Sequence, residues 1–368
     1  GGGGGGLGAS PHIGARRRAA ATAAMAQFAP PLPPLGRPGT VGLAPPLGLA
    51  PRRGVPMGGL PVGGLLGRPP RRGCEWCWVL LVAACFLVLT YSHLLYGQMW
   101  GEVQDVLRES PTYVTPDSAT FIVWVFIYAL EAVFVLSQFC PSERGEELLR
   151  LPCPLCLGLP VRVVVSLVFL ANALWMPLFA AELFGWSCLL SAVFLWVSLG
   201  AYATLTAAAA PLCCARAGAP FSCHRLVYVA PVAANVSWLV VVSASNFMMW
   251  VGADGRQDEY GVAGNPGSAL LVVAGVALLA CALAFLYCDL VWATVTAWSL
   301  AGVCRMQTVA DAARFPVGAL NPTVAAVSGF CIALVAASAA AGLGVAVVGW
   351  HSGRRAAGSL EAMGVPLE

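Results

Sequence analysis

Several side chains that could bind a flat, partly polar ligand lie inside long apolar segments of the chain. Trp124, Tyr128 and Glu131 follow one another at helical spacing within residues 115–139, so they share one face of a helix. Inside a membrane a carboxylate is costly, and it normally faces a protein-lined or wet interior. This segment is therefore predicted to turn an aromatic and acidic stripe towards a cavity between helices. Thr115 as cap and Pro116 as first residue predict where the helix begins.

Two further apolar segments carry stripes of the same kind. One face of the third segment carries Asn172, Trp175, Phe179 and Glu182, and one face of the fifth carries Asn235, Trp238 and Asn246. Because buried amides need hydrogen-bond partners, we expect the stripes to converge on one lining. Such a lining suits a flat, largely apolar ligand with a few polar groups. The alternative is that the amides only join helices and that the tryptophans only pack.

The composition is that of a polytopic membrane protein. The chain is 59% hydrophobic and 10% charged, with a mean hydropathy of +0.78, far from the composition of soluble domains. It contains no lysine, which excludes retinal or pyridoxal chemistry through a Schiff base. Nothing in the sequence indicates binding to nucleic acid. The predicted fold class is therefore an all-α membrane helix bundle.

The apolar runs divide the chain into parts. Residues 1–73 are predicted to be a disordered basic leader, 74–251 a five-helix ligand-binding bundle, 252–267 a loop, 268–350 two to three additional transmembrane helices, and 351–368 a tail. Eight crossings are predicted, at 76–96, 119–139, 161–184, 186–209, 226–251, 268–287, 290–303 and 323–350. Seven is the alternative, because the seventh run is short enough to join the sixth as a hairpin broken at Cys288 and Asp289.

Arginine positions orient the first five crossings. Most arginines fall on the side of the N-terminus, whereas Arg108 and Arg256 fall on the other. Arg305 and Arg314 conflict with an eight-crossing count, so the last three crossings stay open. On the side of Arg108, the loop 97–110 has apolar residues at helical spacing with acids opposite. It is predicted to be either an amphipathic helix over the end of the bundle or a solvated connector.

The leader and the cysteines allow more than one interpretation. Residues 1–73 are basic and lack acids, which is typical of an organelle transit peptide or of a low-complexity tail. This favours a multi-pass plastid membrane, with the mitochondrion as the alternative. Cys74 and Cys77, and Cys153 and Cys156, have the spacing of metal ligands. Disulfides are a second interpretation, and ordinary interfacial cysteines are favoured over both.

Four motifs resemble the translocator protein/tryptophan-rich sensory protein (TspO/MBR) family. They lie in the family's order between Trp76 and Trp250: Trp124-x3-Tyr128, Asn172-x2-Trp175-x-Pro177-x-Phe179, Gly185-Trp186 and Trp238-x7-Asn246. The resemblance implies a five-helix TspO-like core, usually dimeric, to which about three helices are added here. Members bind porphyrins and, in animals, cholesterol and drug-like ligands, under the loop after the first helix.

By this resemblance the pocket would be lined by Trp124, Tyr128, Asn172, Trp175, Trp238 and Asn246. Two departures stand out. Asn246 is followed by Phe247 and two methionines rather than by the tyrosine and basic residue of the sterol pattern. Glu131 is not a family signature. It could take up a proton as a ligand enters, or pair with a cationic group.

The expected function is binding of a porphyrin or a similar planar hydrophobic ligand inside the bundle, for transport, buffering or stress signalling. A bound porphyrin or haem is the only cofactor that this interpretation suggests, and a homodimer and membrane lipid are the expected partners. An enzyme is disfavoured. The alternatives are a proton-coupled secondary transporter that uses Glu131, and an intramembrane enzyme that modifies a porphyrin or an isoprenoid.

Overall fold

The computed structural model describes residues 73–98, 102–209, 223–253, 255–258, 261–308 and 321–362. The predicted leader lies outside this part of the chain except for Gly73. The described residues form these helices: α1 (Gly73–His93), α2 (Glu102–Glu109), α3 (Val123–Ser137), α4 (Glu143–Arg150), α5 (Val161–Ala180), α6 (Phe184–Ala209), α7 (Ala230–Ala253), α8 (Pro266–Tyr287), α9 (Leu290–Thr308) and α10 (Pro322–Ala362).

Short irregular elements extend or join these helices. The π-helical turns Leu94–Gln98 and Arg225–Val229 continue α1 and precede α7, and a 3₁₀ turn, Ser118–Ile122, leads into α3. Two-residue strands β1 (Pro152–Cys153) and β2 (Leu159–Pro160) pair antiparallel around a 3₁₀ turn between α4 and α5.

Seven of the helical segments are long and apolar enough to cross a membrane. They are Trp76–Tyr96, Ser118–Ser137, Val161–Ala180, Phe184–Ala208, Arg225–Ala253, Pro266–Tyr287 and Pro322–Val348. The predicted all-α, multi-pass membrane bundle is thereby confirmed. The segments that include α5 and α7 are the most buried of the seven, so these two helices form the centre around which the others pack.

Helix α9 is not among the seven, yet it extends between the same two ends of the bundle. Near its start, the ring of Trp292 lies 4.8 Å from that of Tyr202 on α6. Near its end, Arg305 forms an ion pair of 3.1 Å with Asp117, just before α3. The polar Thr296 and Ser299 between them are buried in protein, so α9 does not need the apolar composition of a helix that faces lipid.

Arg305 conflicts with the bias of the other arginines. Its side chain lies at the same end of the bundle as α2, opposite the arginine-rich end, where it pairs with the Asp117 carboxylate. Its position follows the course of α9, which ends there.

Helices α8 and α9 are two separate helices, and α9 begins at its own capped N-terminus. Cys288 has a left-handed backbone with φ of +52°. The next residue, Asp289, accepts a hydrogen bond of 3.0 Å from the backbone N–H of Trp292 and another of 2.6 Å from the hydroxyl of Tyr202. The side chain of Asp289 is buried.

Several predicted boundaries are wrong. The second crossing begins at Ser118, one residue from the predicted position, but its helix does not start at Pro116, because Thr115 shares hydrogen bonds with Thr112 and Ser245 instead of capping the helix. Helix α5 ends at Ala180, four residues before the predicted end of the third crossing. Helix α10 continues to Ala362 and therefore enters the segment predicted to be a tail.

A polar cluster closes the arginine-rich end of the bundle. Arg162, buried at the start of α5, donates to Gln138 on one side and to Glu146 on the other, at 3.0 and 2.8 Å. Burial alone would raise the pKa of Glu146, but hydrogen bonds and charge from Arg162 and Arg150 outweigh it and hold that pKa below its ordinary value.

Candidate ligand-binding site

Helix α2 covers the end of the bundle opposite the arginine-rich cluster. Its apolar side chains Val103, Val106 and Leu107 are buried in one core cluster with the aromatic side chains below, while Asp105 and Glu109 are exposed. The amphipathic helix predicted for this loop is therefore present, and the solvated connector is not. Helix α2 therefore forms a short lid that packs on the bundle through apolar side chains.

The segment that follows α2 is fixed to the loop between α7 and α8. The backbone N–H of Ala263 donates to the carbonyl of Pro111 at 2.9 Å, and the hydroxyl of Tyr113 donates to the Asp258 carboxylate. Ala263 is almost fully buried. These contacts anchor the C-terminal side of the lid across the bundle.

An aromatic wall lies beneath the lid. The rings of Trp124 and Tyr128 stack at 5.4 Å along α3, and the ring of Trp238 meets Trp124 edge-on at 6.1 Å from α7. Phe121 packs edge-on against Trp238 at 5.3 Å. His93, at the end of α1, contacts both α3 rings, 4.7 Å from Trp124 and 5.2 Å from Tyr128. Two helices and an end of a third thus contribute rings to one surface.

The third stripe joins this wall from α5. Asn172 is fully buried, and its Oδ1 lies 3.3 Å from Nε2 of His93. Trp175 and Phe179, one and two turns further on, pack on each other at 4.9 Å. On α7, the buried Asn246 accepts a hydrogen bond of 3.0 Å from the hydroxyl of Ser187. The stripes converge, as the sequence predicts.

Five buried donor groups of this cluster have no hydrogen-bond partner among the described residues. They are the hydroxyl of Tyr128, Nδ2 of Asn172, Nε1 of Trp175, Nε1 of Trp238 and Nδ2 of Asn246. Leaving such a group unpaired costs about 1–3 kcal/mol each. Polar groups that only join helices would be paired with one another, so these five donors are available to acceptor atoms of water or of another molecule.

The free space at the cluster is small in the present conformation. A cavity of about 20 Å³ is bordered by Leu107 of the lid, Phe121, Trp175, Phe179 and Asn246, together with Pro116, Val242 and Ser245. That volume admits about one water-sized guest. A drug-sized ligand occupies roughly 300 Å³ or more, so such a ligand enters only if the lid moves away from the cluster.

Glu131 lies apart from the other predicted site residues. It is one turn beyond Tyr128 on α3, and its Oε1 accepts a hydrogen bond of 2.6 Å from Asn235. It borders a second cavity, together with Ser198, and not the one beneath the lid. The structure thus brings seven of the predicted site residues together and places Glu131 deeper in the bundle.

Sequence reasoning did not single out His93. It is a lone histidine at the end of the first apolar run. The signal that could have identified it is its position: the last turn of α1 faces the same end of the bundle as Trp124. Its contacts with Trp124, Tyr128 and Asn172 make it part of the site.

The two cysteine pairs differ in their surroundings. Cys153 and Cys156 are buried side by side against Gly200, whereas Cys77 is exposed, and the side chain of Cys74 lies outside the described part. Burial, followed by hydrogen bonding and charge from Cys153, raises the pKa of Cys156 to about 12. Across the described ranges no group of three or more His, Cys, Asp or Glu side chains could hold a metal.

Comparison with known proteins identifies one family. The family model described as "TSPO-like protein" matches residues 75–341, which cover the five predicted core helices, α8, α9 and much of α10. The resemblance drawn from the four motifs is confirmed, and it extends well past Trp250. No curated protein matches the chain, and no solved structure does.

Proposed function

Because the chain belongs to the TSPO-like protein family, we propose that it binds a porphyrin or a similar planar hydrophobic ligand beneath α2, for transport, buffering or stress signalling. The ligand lies against the aromatic wall formed by Trp124, Tyr128 and Trp238. The rings present flat apolar surface to a conjugated macrocycle, and stacking of this kind adds about 0.5–1.5 kcal/mol per ring pair beyond simple burial.

The observation that carries this proposal is the set of unpaired donors. All five groups can donate a hydrogen bond, and the three aromatic ones lie at the edges of the rings that would contact the macrocycle. A ligand that bears carboxylate or carbonyl oxygens satisfies such donors. The carboxylates of a natural porphyrin have this chemistry, whereas a sterol offers a single hydroxyl. We therefore expect porphyrins to bind more tightly than sterols.

Entry of the ligand requires displacement of α2. Val103, Val106 and Leu107 occupy the space over the aromatic cluster, and a macrocycle replaces them as the apolar cover. The contacts of Ala263 with Pro111 and of Tyr113 with Asp258 hold the far end of the lid segment, so the N-terminal part of α2 moves further than the segment after it.

The test is an equilibrium titration of the purified protein with protoporphyrin IX and with cholesterol, followed through porphyrin absorption and through competition. Trp238→Phe removes one unpaired donor and reduces the wall, so it should weaken porphyrin binding about 10-fold or more. The matched control is Trp196→Phe, since Trp196 is exposed on α6 and donates to the Leu155 carbonyl at 3.1 Å.

The two variants decide the proposal together. Equal porphyrin affinity in the wild type, Trp238→Phe and Trp196→Phe would show that the aromatic cluster is not the binding site. Saturable binding that Trp238→Phe alone weakens supports it. Tighter binding of cholesterol than of protoporphyrin IX would contradict the choice of ligand class while leaving the site itself supported.

A proton-coupled transporter is the second candidate, and the burial of Glu131 favours it. A buried carboxylate in the middle of α3 that accepts a hydrogen bond from an amide is typical of residues that exchange protons or ions in membranes. This candidate predicts that ligand flux in proteoliposomes depends on pH and collapses in Glu131→Gln. Simple binding predicts that the same variant loses little.

A further inference from the structure

The cavity beside Glu131 is separate from the site beneath α2. It lies between α3, α5, α6 and α7 and has a volume of about 10 Å³, room for one water-sized guest. Its border is formed by Glu131, Phe134, Val165, Val168, Phe169, Ser198, Pro231, Val232 and Asn235. None of these residues borders the cavity beneath the lid.

Three oxygen atoms at this cavity have no hydrogen-bond partner among the described residues. The amide of Asn235 donates to Oε1 of Glu131, which leaves Oε2 of Glu131, Oδ1 of Asn235 and the hydroxyl of Ser198 unpaired. The exposed fractions of the three residues are 2%, 2% and 0%. The remaining lining is apolar, so the unpaired polar atoms of the cavity are oxygens.

Positive charge does not reach this cavity from the surrounding described side chains. The nearest arginine along α5 is Arg162, about one turn before Val165, and it is bound to Gln138 and Glu146. Three tyrosines are the nearest titratable groups on the elements around it: Tyr128, one turn away on α3, Tyr202, one turn along α6 from Ser198 and bound to Asp289, and Tyr228, whose ring packs on Phe134 at 6.0 Å. His93 on α1 contacts the Tyr128 ring. An ionised carboxylate without a counter-charge is very costly in such a setting.

We propose that this cavity is a site for one small monovalent cation, held by Oε2 of Glu131, Oδ1 of Asn235 and the hydroxyl of Ser198. Carboxylate, amide and hydroxyl oxygens are the ligands that hard cations prefer. One carboxylate offsets one positive charge, and the volume admits a guest no larger than a water molecule. A proton held by Glu131 and its neighbours and a sodium ion both fit this chemistry.

This inference does not depend on ligand binding beneath α2. The two cavities share no lining residue, so either proposal can fail while the other stands. The proposed cation site also differs from the transporter hypothesis. A cation that binds in this cavity and stabilises the fold fulfils the proposal even if it is not transported.

The experiment measures thermal stability of the full chain in detergent. A ligand that binds only the folded state raises the melting temperature with its concentration. In the sodium arm, sodium chloride replaces N-methyl-glucamine chloride at constant ionic strength and about pH 8. In the proton arm, the pH is lowered from about 9 to about 6 without sodium, and infrared difference spectra follow the C=O stretch of a protonated carboxylic acid.

Two variants report on the site. In Glu131→Gln, the charge is removed with little change of shape, and the response that the wild type shows to sodium or to pH should disappear. Ser198→Ala should keep the response but shift the half-saturating cation concentration upward about 5- to 10-fold. The matched control is Ser191→Ala, since Ser191 lies on the same helix but donates to the Cys188 carbonyl at 2.9 Å. It should behave as the wild type.

The outcomes separate cleanly. A sodium response that Glu131→Gln abolishes assigns the site to sodium, and a proton response with the carboxylic-acid band assigns it to a proton. The proposal is overturned if the wild type responds to neither cation, or if Ser198→Ala responds as Ser191→Ala does. The serine pair keeps the test decisive even where Glu131→Gln fails to fold.

Discussion

Removing the hydroxyl of Tyr128 should raise the stability of the ligand-free protein and weaken ligand binding. Tyr128→Phe keeps the ring that stacks on Trp124 and contacts His93, and deletes only a buried hydroxyl that has no partner. Relief of an unpaired buried group is worth about 1–3 kcal/mol, while a hydrogen bond to a bound ligand contributes about 0.5–1.5 kcal/mol. Porphyrin affinity should therefore fall about 2- to 13-fold as the protein becomes more stable.

Tyr202→Phe is a matched substitution that should change the stability in the opposite direction. The hydroxyl of Tyr202 is also buried, but it donates to the Asp289 carboxylate at 2.6 Å, and that carboxylate caps α9. Tyr202→Phe removes one hydrogen bond to a charged group, which costs about 1.5–3 kcal/mol. The same chemical change should therefore stabilise the protein at one position and destabilise it at the other, without effect on porphyrin affinity at Tyr202.

The assay is melting in detergent, with and without protoporphyrin IX, where 1 kcal/mol corresponds to about 2–4 °C for a domain of 150–250 residues. Ligand present in excess should narrow the stability difference between the wild type and Tyr128→Phe by about 0.5–1.5 kcal/mol, because only the wild type gains the additional hydrogen bond. A loss of stability in ligand-free Tyr128→Phe comparable to that of Tyr202→Phe would refute the reasoning. The hydroxyl would then have a structural partner, and the unpaired donors would no longer argue for a ligand.

Two further predictions concern the ends and the packing of the bundle. Gly342→Ala should destabilise the protein by about 1–3 kcal/mol, because its Cβ would lie 2.4 Å from the Ala284 carbonyl oxygen of α8, whereas Gly344→Ala has open space and should be neutral in the same melting assay. Glu146→Gln should cost about 1–2 kcal/mol at neutral pH. Because the pKa of Glu146 is lowered by folding, its stabilisation is complete above the ordinary value of 4.5 and is lost as the pH falls through the lowered value. The stability of Glu146→Gln should accordingly fall less steeply than that of the wild type as the pH is lowered. An identical decrease in both proteins would contradict this.

The sequence predicts the fold class, the family and the convergence of the three stripes, because these follow from patterns within single helices. Trp124 and Tyr128 stack as their spacing implies. The particular partner that a side chain finds on another helix was not predicted. The spacing of Glu131 places it on the same stripe as Trp124, yet Asn235 binds it into a different cavity. A one-turn displacement along α3 changes which helices face a side chain.

Helix α9 shows that composition, too, is a limited guide when a helix is buried among other helices. Its hydropathy is too low for a helix that faces lipid, so its length in the sequence was underestimated by ending it at 303 rather than at Thr308. Burial among other helices removes the need for an apolar surface, and Ser237 of α7 offers a hydrogen-bond partner to Thr296 at 2.9 Å. The polarity of such a helix reflects its neighbours, which a single sequence does not contain.

The two cavities should be coupled if both proposals hold. They lie along the same two helices, since Tyr128 and Glu131 are one turn apart on α3, as are Asn235 and Trp238 on α7. The site beneath α2 presents donors and suits an anionic ligand, whereas the deeper cavity presents acceptors and suits a cation. A cation near Glu131 reduces the repulsion that a porphyrin carboxylate meets, so it should tighten porphyrin binding. By linkage the porphyrin must tighten cation binding by the same factor. Titration of protoporphyrin IX in the wild type and in Glu131→Gln, each with and without the active cation, measures this factor. It should exceed one in the wild type and equal one in the variant, and a factor of one in both would show that the cavities act independently.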